Sequence, residues 1–299
     1  MDKLKILERI KELYSQNKNI IKYLKELDNK NANSVEDILI SYDFQAGSYT
    51  KGFKENPTLK VEISKNIANI INNLDDCHSL LEVGVGEATT LGNTLSFLKN
   101  KSINAYGYDL SWSRIKFAKS FLNELNIKNV ELFTGDLFNS PIKDNSIDIV
   151  YTCHSVEPNG GKEKEALKEL YRITNKYLIL IEPAYELADN MAKARMKEHG
   201  YITNLYTSAK ELGYDILEYK LLGVSTNPLN PTGVMIIRKE DVEGPNSFQG
   251  SPLACPLTKS DISLMNNAYF SEKSLLAYPV IDNIPCLLPQ NAIVATKFV

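Results

Sequence analysis

Glu82, Gly84, Gly86, Asp109, Asp136 and His154 are the residues whose types and spacing bear on chemistry. Gly84 and Gly86 stand within Leu80-Leu81-Glu82-Val83-Gly84-Val85-Gly86-Glu87-Ala88, where an apolar run meets two glycines. An amphipathic segment, Leu91 to Leu98, comes next, and the whole predicts buried strand, tight turn and helix. Glycine at these positions lets the backbone turn sharply and approach a ligand, and a helix opening near Ala88 offers free N–H groups. A pyrophosphate-binding corner would carry a third glycine at position 89; that residue is Thr, and an acid, Glu82, stands two residues before the first glycine. Asp109 ends a second strand-like stretch, 23 residues past Gly86, where a carboxylate accepts both hydroxyls of a ribose; ahead of Ser111 to Arg114 it is equally placed to cap a helix. His154 follows a strand-like run, with Glu157 three residues on. The ordinary pKa of histidine suits a general base, and Glu157 is placed to orient it or to bind a substrate hydroxyl or amine; a loop histidine is as readily structural.

The elements that position these residues are an alternation of strands and helices. A helix is expected over Pro57 to Leu74, strands end at Val83 and Asp109, a third runs over Val130 to Leu137 and ends in Gly-Asp-Leu, and further strands lie within Asn145 to His154 and over Tyr177 to Pro183. Glu163 to Arg172 and Ala192 to Leu212 carry helical spacing, and Tyr214 to Leu222 and Val234 to Lys239 read as two closing strands. Ahead of all this, residues 1 to about 40 place apolar side chains at helical intervals, predicting two or three amphipathic helices. Tyr42 to Thr50 has no clean period and reads as a loop; its aromatic and polar residues, Tyr42, Gln45 and Tyr49 among them, make it either a connection or a cover over a ligand.

The run Glu-x-Gly-x-Gly-x-Ala, followed in order by strand-ending Asp109, the Gly-Asp-Leu of residues 135 to 137 and the Ile-Asp-Ile-Val of residues 147 to 150, resembles the class I S-adenosylmethionine-dependent methyltransferases. The resemblance spans residues 78 to 239. It implies an α/β fold, a Rossmann-like seven-stranded sheet whose last two strands form an antiparallel hairpin. It further implies S-adenosyl-L-methionine as cofactor. Glu82, Gly84 and Gly86 would face its methionine end, Asp109 and Leu110 its ribose, and Asp136 and Leu137 its adenine, with Tyr151 at the mouth of the fourth strand. A carboxylate at the first strand end suits a ligand that carries an ammonium and a sulfonium. The segment Tyr151 to Gly161 departs from the Asn-Pro-Pro-Tyr signature of enzymes that methylate planar amides and exocyclic amines, which argues against glutamine and adenine acceptors.

Glu243 to Asn246 reads as a linker. Beyond it, Leu253 to Thr258 and Leu276 to Pro285 resemble the small activator protein of tRNA, ribosomal RNA and release-factor methyltransferases. Of the four cysteine positions of that family only Cys255 remains; Thr258, Ser271 and Ser274 occupy the others, so no zinc is expected. The organisation expected is a helical extension over 1–56, a methyltransferase domain over 57–242 and a small β-rich domain over 246–299. Leu276, Tyr278, Val280, Ile281, Ile284, Leu287 and Leu288 are expected to cover apolar surface of the larger domain.

Four scattered cysteines make neither a disulfide framework nor a metal site, and a charged N-terminus without an apolar run points to the cytoplasm. With net charge −3 the chain has no global positive field for nucleic acid, and no membrane span is seen. The function expected is methylation of a small molecule on oxygen or nitrogen, with a sugar or nucleotide-activated sugar as the example. RNA or protein methylation and a non-catalytic assembly subunit are the alternatives.

Overall fold

The computed structural model describes residues 3–28, 33–74, 77–239 and 250–298. The expected linker at Glu243 to Asn246 lies outside the described residues.

Five helices precede the sheet: α1 (Leu7–Ser15), α2 (Ile20–Leu27), α3 (Val35–Phe44), α4 (Ser48–Glu55) and α5 (Thr58–Ile71). The first three meet through one face each, in a cluster of Ile10, Leu13, Ile20, Leu24 and Ile40 that is separate from the main core. Ser34 and Asp37 form a capping box that starts α3, and Asp37 also receives the buried ammonium of Lys3. Tyr42 to Thr50, expected to be a loop, is the end of α3, a tight turn and the start of α4. The helix is fixed from outside: Glu87 accepts the N–H groups of Gly47 (2.9 Å), Tyr49 (3.3 Å) and Thr50 (2.7 Å), so a carboxylate distant in sequence does the capping.

The sheet is formed by β1 (Ser79–Val83), β2 (Asn104–Asp109), β3 (Val130–Thr134), β4 (Ile147–Cys153), β5 (Thr174–Pro183), β6 (Asp215–Leu221) and β7 (Thr232–Arg238). Their order is β3-β2-β1-β4-β5-β7-β6, parallel up to β5, with β7 antiparallel to both its neighbours. The helices α6 (Thr89–Phe97), α7 (Trp112–Glu124) and α8 (Glu163–Ile173) cross between strands. β1 and β4 are buried on both faces, and their continuous apolar runs follow from that. The single helix expected over Ala192 to Leu212 is two, α9 (Asn190–Glu198) and α10 (Leu205–Glu211). They part because the intervening backbone pairs elsewhere: Ile202 N–H donates to Glu157 O, Gly160 N–H to Gly200 O and Thr203 N–H to Glu163.

After residue 250 come β8 (Ser263–Met265), β9 (Ala268–Ser271), β10 (Leu276–Ile281), β11 (Ile284–Pro285) and β12 (Ile293–Val294), a small antiparallel sheet. It sits at the β3 edge. Thr134 bridges Cys286 in parallel, Ile142 bridges Leu253, and the N–H groups of Ala254 and Leu287 donate to Pro141 O and Thr134 O. Leu253, Cys255, Ile262, Tyr278 and Leu287 are buried in one continuous cluster with the side chains of β1, β4 and β5. Ile284 is buried in the cluster on the other face of the sheet, and Leu288 is buried too. Ile281 differs from expectation. It is 53% exposed, and its contribution to the contact is a carbonyl that accepts from Trp112 Nε1. Thr258, Ser260 and Ser271 form a chain of hydroxyls: Thr258 Oγ1 lies 2.7 Å from Ser260 Oγ, which lies 2.7 Å from Ser271 Oγ, and Cys255 Sγ meets Tyr278 OH and Ser274 Oγ.

Candidate active site

A cavity of about 420 Å³ opens at the C-terminal ends of β1, β2, β3 and β4. The strand order reverses between β1 and β4, and in open α/β sheets that crevice is where ligands bind.

Its floor is the turn after β1. Gly84 has φ +72°, and a side chain there would place Cβ 2.2 Å from that of Ser155; Gly86 has φ +54° and lies under the Arg114 guanidinium. Neither position accepts a side chain without strain, and the backbone is thereby left open to a ligand. Glu82 is buried at the strand end, accepting from Tyr151 OH at 2.6 Å. Burial pushes its carboxyl up to about 8, against the pull of Tyr151 and Lys60. Tyr151 itself is fully buried and does not line the cavity, so any influence on a ligand passes through Glu82.

Asp109 accepts from Gly86 N–H (3.0 Å) and Ser111 N–H (2.9 Å), so it braces the glycine turn as well as lining the cavity, while Ser111 is the residue that caps α7. Leu110, Asp136 and Leu137 line the same wall, and Asp136 is held by Phe138 N–H and Asn139 Nδ2.

The roof is α3 and α4. Arg114, nearly buried, has its guanidinium 4.9 Å from the Tyr42 ring centroid and 4.3 Å from that of Tyr49, and it approaches Asp109 at 4.0 Å. Asp43 adds three bonds to Ser111 and Ser113. Of the three roof residues expected, Tyr42 and Tyr49 line the cavity and Gln45 does not; it caps α3.

His154 and Glu157 form the side wall. His154 sits at φ +55°, a strained setting for a side-chain-bearing residue, and is over-determined by its surroundings: its N–H donates to Ile181 O, and Glu182 takes the N–H groups of Ser155, Val156 and Glu157. Nδ1 lies 2.5 Å from Glu157 Oε2 and Nε2 lies 2.9 Å from Thr232 Oγ1. Nδ1–H donating to the carboxylate leaves Nε2 as the basic nitrogen, with the Thr232 hydroxyl donating to it. Cys153 also faces the cavity, but burial pushes its thiol up to about 12, which removes it as a nucleophile at neutral pH. Among the described residues no group of three or more His, Cys, Asp or Glu is placed to hold a metal ion.

Several lining residues carried no advance signal: Lys60 on α5, Arg114, Arg195 on α9, Tyr201, Asn227 and Asn230. Glu87 had one. A buried acid inside a glycine turn needs partners, and its partners are the roof.

Residues 80–176 match the family described as a methyltransferase domain. The match and the fold support a methyltransferase dependent on S-adenosylmethionine, and the glycine turn lines the cavity together with Glu82, Asp109 and Asp136. Solved structures of similar fold include one chain of the complex between a Haloferax volcanii methyltransferase activator and a protein assigned as a methyltransferase (15% identity, TM-score 0.51, covering 66% of this chain and 96% of that one). Another is the magnesium protoporphyrin IX methyltransferase of Synechocystis with bound S-adenosylhomocysteine (13%, 0.50, 67% and 99%). A third is a protein of Methanococcus maripaludis assigned as an S-adenosyl-L-methionine-dependent methyltransferase (18%, 0.50, 68% and 95%). At these identities the likeness is one of fold.

Proposed function

We propose that the protein methylates a small molecule on oxygen or nitrogen, as a cytoplasmic enzyme with no nucleic-acid or membrane partner. The observation that carries this reading is the roof: Tyr42 and Tyr49 stand over Arg114, and α4 is tied to Glu87 directly above the glycine turn. A cavity of about 420 Å³ under such a cover suits a compact acceptor better than an RNA helix or a protein loop.

In this reading Glu82 meets the ammonium of the cofactor, Gly84 and Gly86 lie against its methionine chain, Asp109 and Leu110 hold the ribose, and Asp136 and Leu137 hold the adenine. The cofactor supplies an electrophilic methyl on a sulfonium. The protein contributes position, and it takes the proton that the acceptor loses as its oxygen or nitrogen bonds to the methyl carbon and the carbon–sulfur bond breaks. Glu157 holds Nδ1 of His154, so that Nε2 receives this proton when the acceptor displaces the Thr232 hydroxyl.

Residues 246–299 act as a built-in counterpart of the activator protein, with domains divided at 1–56, 57–242 and 246–299. The contact of Cys286 with Thr134 at the sheet edge favours this view, and the activator complex of the Haloferax protein is a parallel. That same feature is what favours the second reading, an RNA or protein methyltransferase. A non-catalytic assembly subunit is a third; the retention of Glu82, Asp109 and Asp136 around one cavity speaks against it. Incubation with methyl-labelled S-adenosylmethionine, glycan precursors in one series and tRNA in another, tests the choice. Label is expected in the small molecules; label only in tRNA or protein would replace the proposal with the second reading.

A further inference from the structure

Beyond His154 the cavity is walled by segments that the cofactor half does not use: Arg195 on α9, Tyr201 after it, and Asn227 and Asn230 in the β6–β7 loop. Two polar atoms in this wall are buried and have no partner in the protein, Nη1 of Arg195 and Oδ1 of Asn230. The amide of Asn230 is oriented by its own bond, Nδ2 donating to Glu157 Oε1 at 3.2 Å, so the orphan is an acceptor. The guanidinium lies 5.7 Å from the Tyr201 ring centroid and also interacts with the Tyr201 hydroxyl, which leaves Nη1 as its unpartnered nitrogen. Buried polar groups without partners are costly, and a ligand-binding wall is where a fold retains them.

The two orphans ask for opposite things. Arg195 asks for an anionic oxygen, and Asn230 asks for an O–H or N–H. Glu157, bonded to both Asn230 and His154, places that second request beside the basic nitrogen. Lys60, which lines the β1 end of the cavity and donates to Thr90 Oγ1, is a separate cation that would be available to the carboxylate of the cofactor.

We propose that the methyl acceptor is a small anion: a carboxylate or phosphate held by Arg195, with a hydroxyl or amine a few atoms away that donates to Asn230 Oδ1. The proposal rests on the small-molecule reading above. It excludes neutral sugars and includes nucleotide-activated ones.

The test splits a small-molecule cell extract on anion-exchange resin at pH 7 and incubates each half with the protein and methyl-labelled S-adenosylmethionine. Acceptor activity is expected in the retained half; activity confined to the flow-through overturns the proposal. Phosphatase treatment of the retained half then separates the sources, abolishing acceptance by a phosphate and sparing that of a carboxylate. Arg195→Gln should raise KM for the acceptor by about ten- to hundredfold, the scale of a lost charge-assisted bond, with Arg195→Lys recovering part of it. In both variants adenosylhomocysteine affinity should stay within about twofold by calorimetry. An unchanged KM, or a loss of adenosylhomocysteine binding in Arg195→Gln, overturns the assignment of Arg195 to the acceptor. Adenosylhomocysteine bound with no acceptor in either half overturns the anionic class; failure of the unaltered protein to bind adenosylhomocysteine would instead remove the methyltransferase reading beneath it.

Discussion

The two flanks of the sheet are attached by different physics. Helices α1 to α3 keep an apolar cluster of their own. The last of these and α4 meet the sheet domain through polar ties, Glu87 to three N–H groups, Asp43 to two serines and Arg114 between two tyrosines, beside the edge-on contact of Phe53 with Phe121. The C-terminal strands keep a small cluster of their own, Ala268, Phe270 and Ala277, but Leu253, Cys255, Ile262, Tyr278 and Leu287 belong to the same cluster as β1 and β4. A tie made of a few hydrogen bonds opens locally, whereas a shared apolar core separates only at the cost of exposing both sides. On this comparison the roof is expected to open more easily than the C-terminal strands come away.

The largest effect should come from removing the fixed flank. Truncation after Lys239 takes away five side chains of the shared core, each worth about 1.5–3 kcal/mol when large and fully buried, a sum comparable to the stability of a typical domain. The fragment should be insoluble or lack a cooperative melting transition. A soluble fragment with the melting temperature of the full chain would break the comparison.

Next comes the wall that neither flank supplies. His154→Ala should lower kcat by about 10²- to 10⁴-fold, the usual scale for a lost general base, with adenosylhomocysteine affinity kept. Equal turnover at saturating acceptor would reassign His154 to holding the loop after β4. On the floor, Asp109→Ala should weaken adenosylhomocysteine binding by about 1.5–3 kcal/mol in calorimetry, partly through the loosened Gly86 N–H. Unchanged affinity would remove Asp109 from the site.

The opening flank should give a smaller and more local response. Glu87→Ala uncaps α4 and should cost about 1–2 kcal/mol of closure, read as faster amide exchange at Gly47 to Thr50 and weaker cofactor binding with little change in melting temperature. A large fall in melting temperature would mean that the roof is as integral as the C-terminal strands. The most gradual effect is a pH dependence, smallest when read over a single pH unit. Glu82, ordinarily near 4.5, is held protonated up to about 8 by burial, so its contribution to folding is fully present below pH 4.5 and is lost as pH rises through 8. A cofactor ammonium favours the carboxylate, so binding draws off the proton. Affinity should climb by up to about tenfold per unit, about 1.4 kcal/mol, as pH rises toward 8. Binding enthalpies identical in buffers of different ionisation enthalpy at pH 7 would deny the proton release.

The floor of the cavity was legible because its parts lie at consecutive strand ends. Glu82, the glycines, Asp109 and Asp136 each follow an apolar run, and periodicity locates such runs. The far wall of the cavity draws on α3, α9 and the β6–β7 loop, segments whose meeting is a tertiary event, so Arg195 and Asn230 carried no local sign. Tyr42 to Thr50 looked irregular because its cap, Glu87, is supplied from another segment. The helix expected across residues 199 to 204 gave way because that backbone is claimed by the loop after β4. Tyr151 was placed at the cavity by its position on β4, but alternation along the strand turns it toward Glu82.

Because the side chains that fill the core between β1, β4 and β5 include Tyr278 and Leu287, the order of synthesis matters. A ribosome delivers about 5–20 residues per second, so the sheet of residues 79 to 238 is translated seconds before the residues that seal it have emerged. During that interval its β3 edge and the apolar surface above it stand uncovered, a surface suited to holding by a chaperone. Nascent chains stalled short of residue 287 should therefore remain protease-sensitive across the whole sheet, and become resistant in one step once Leu287 has cleared the exit tunnel.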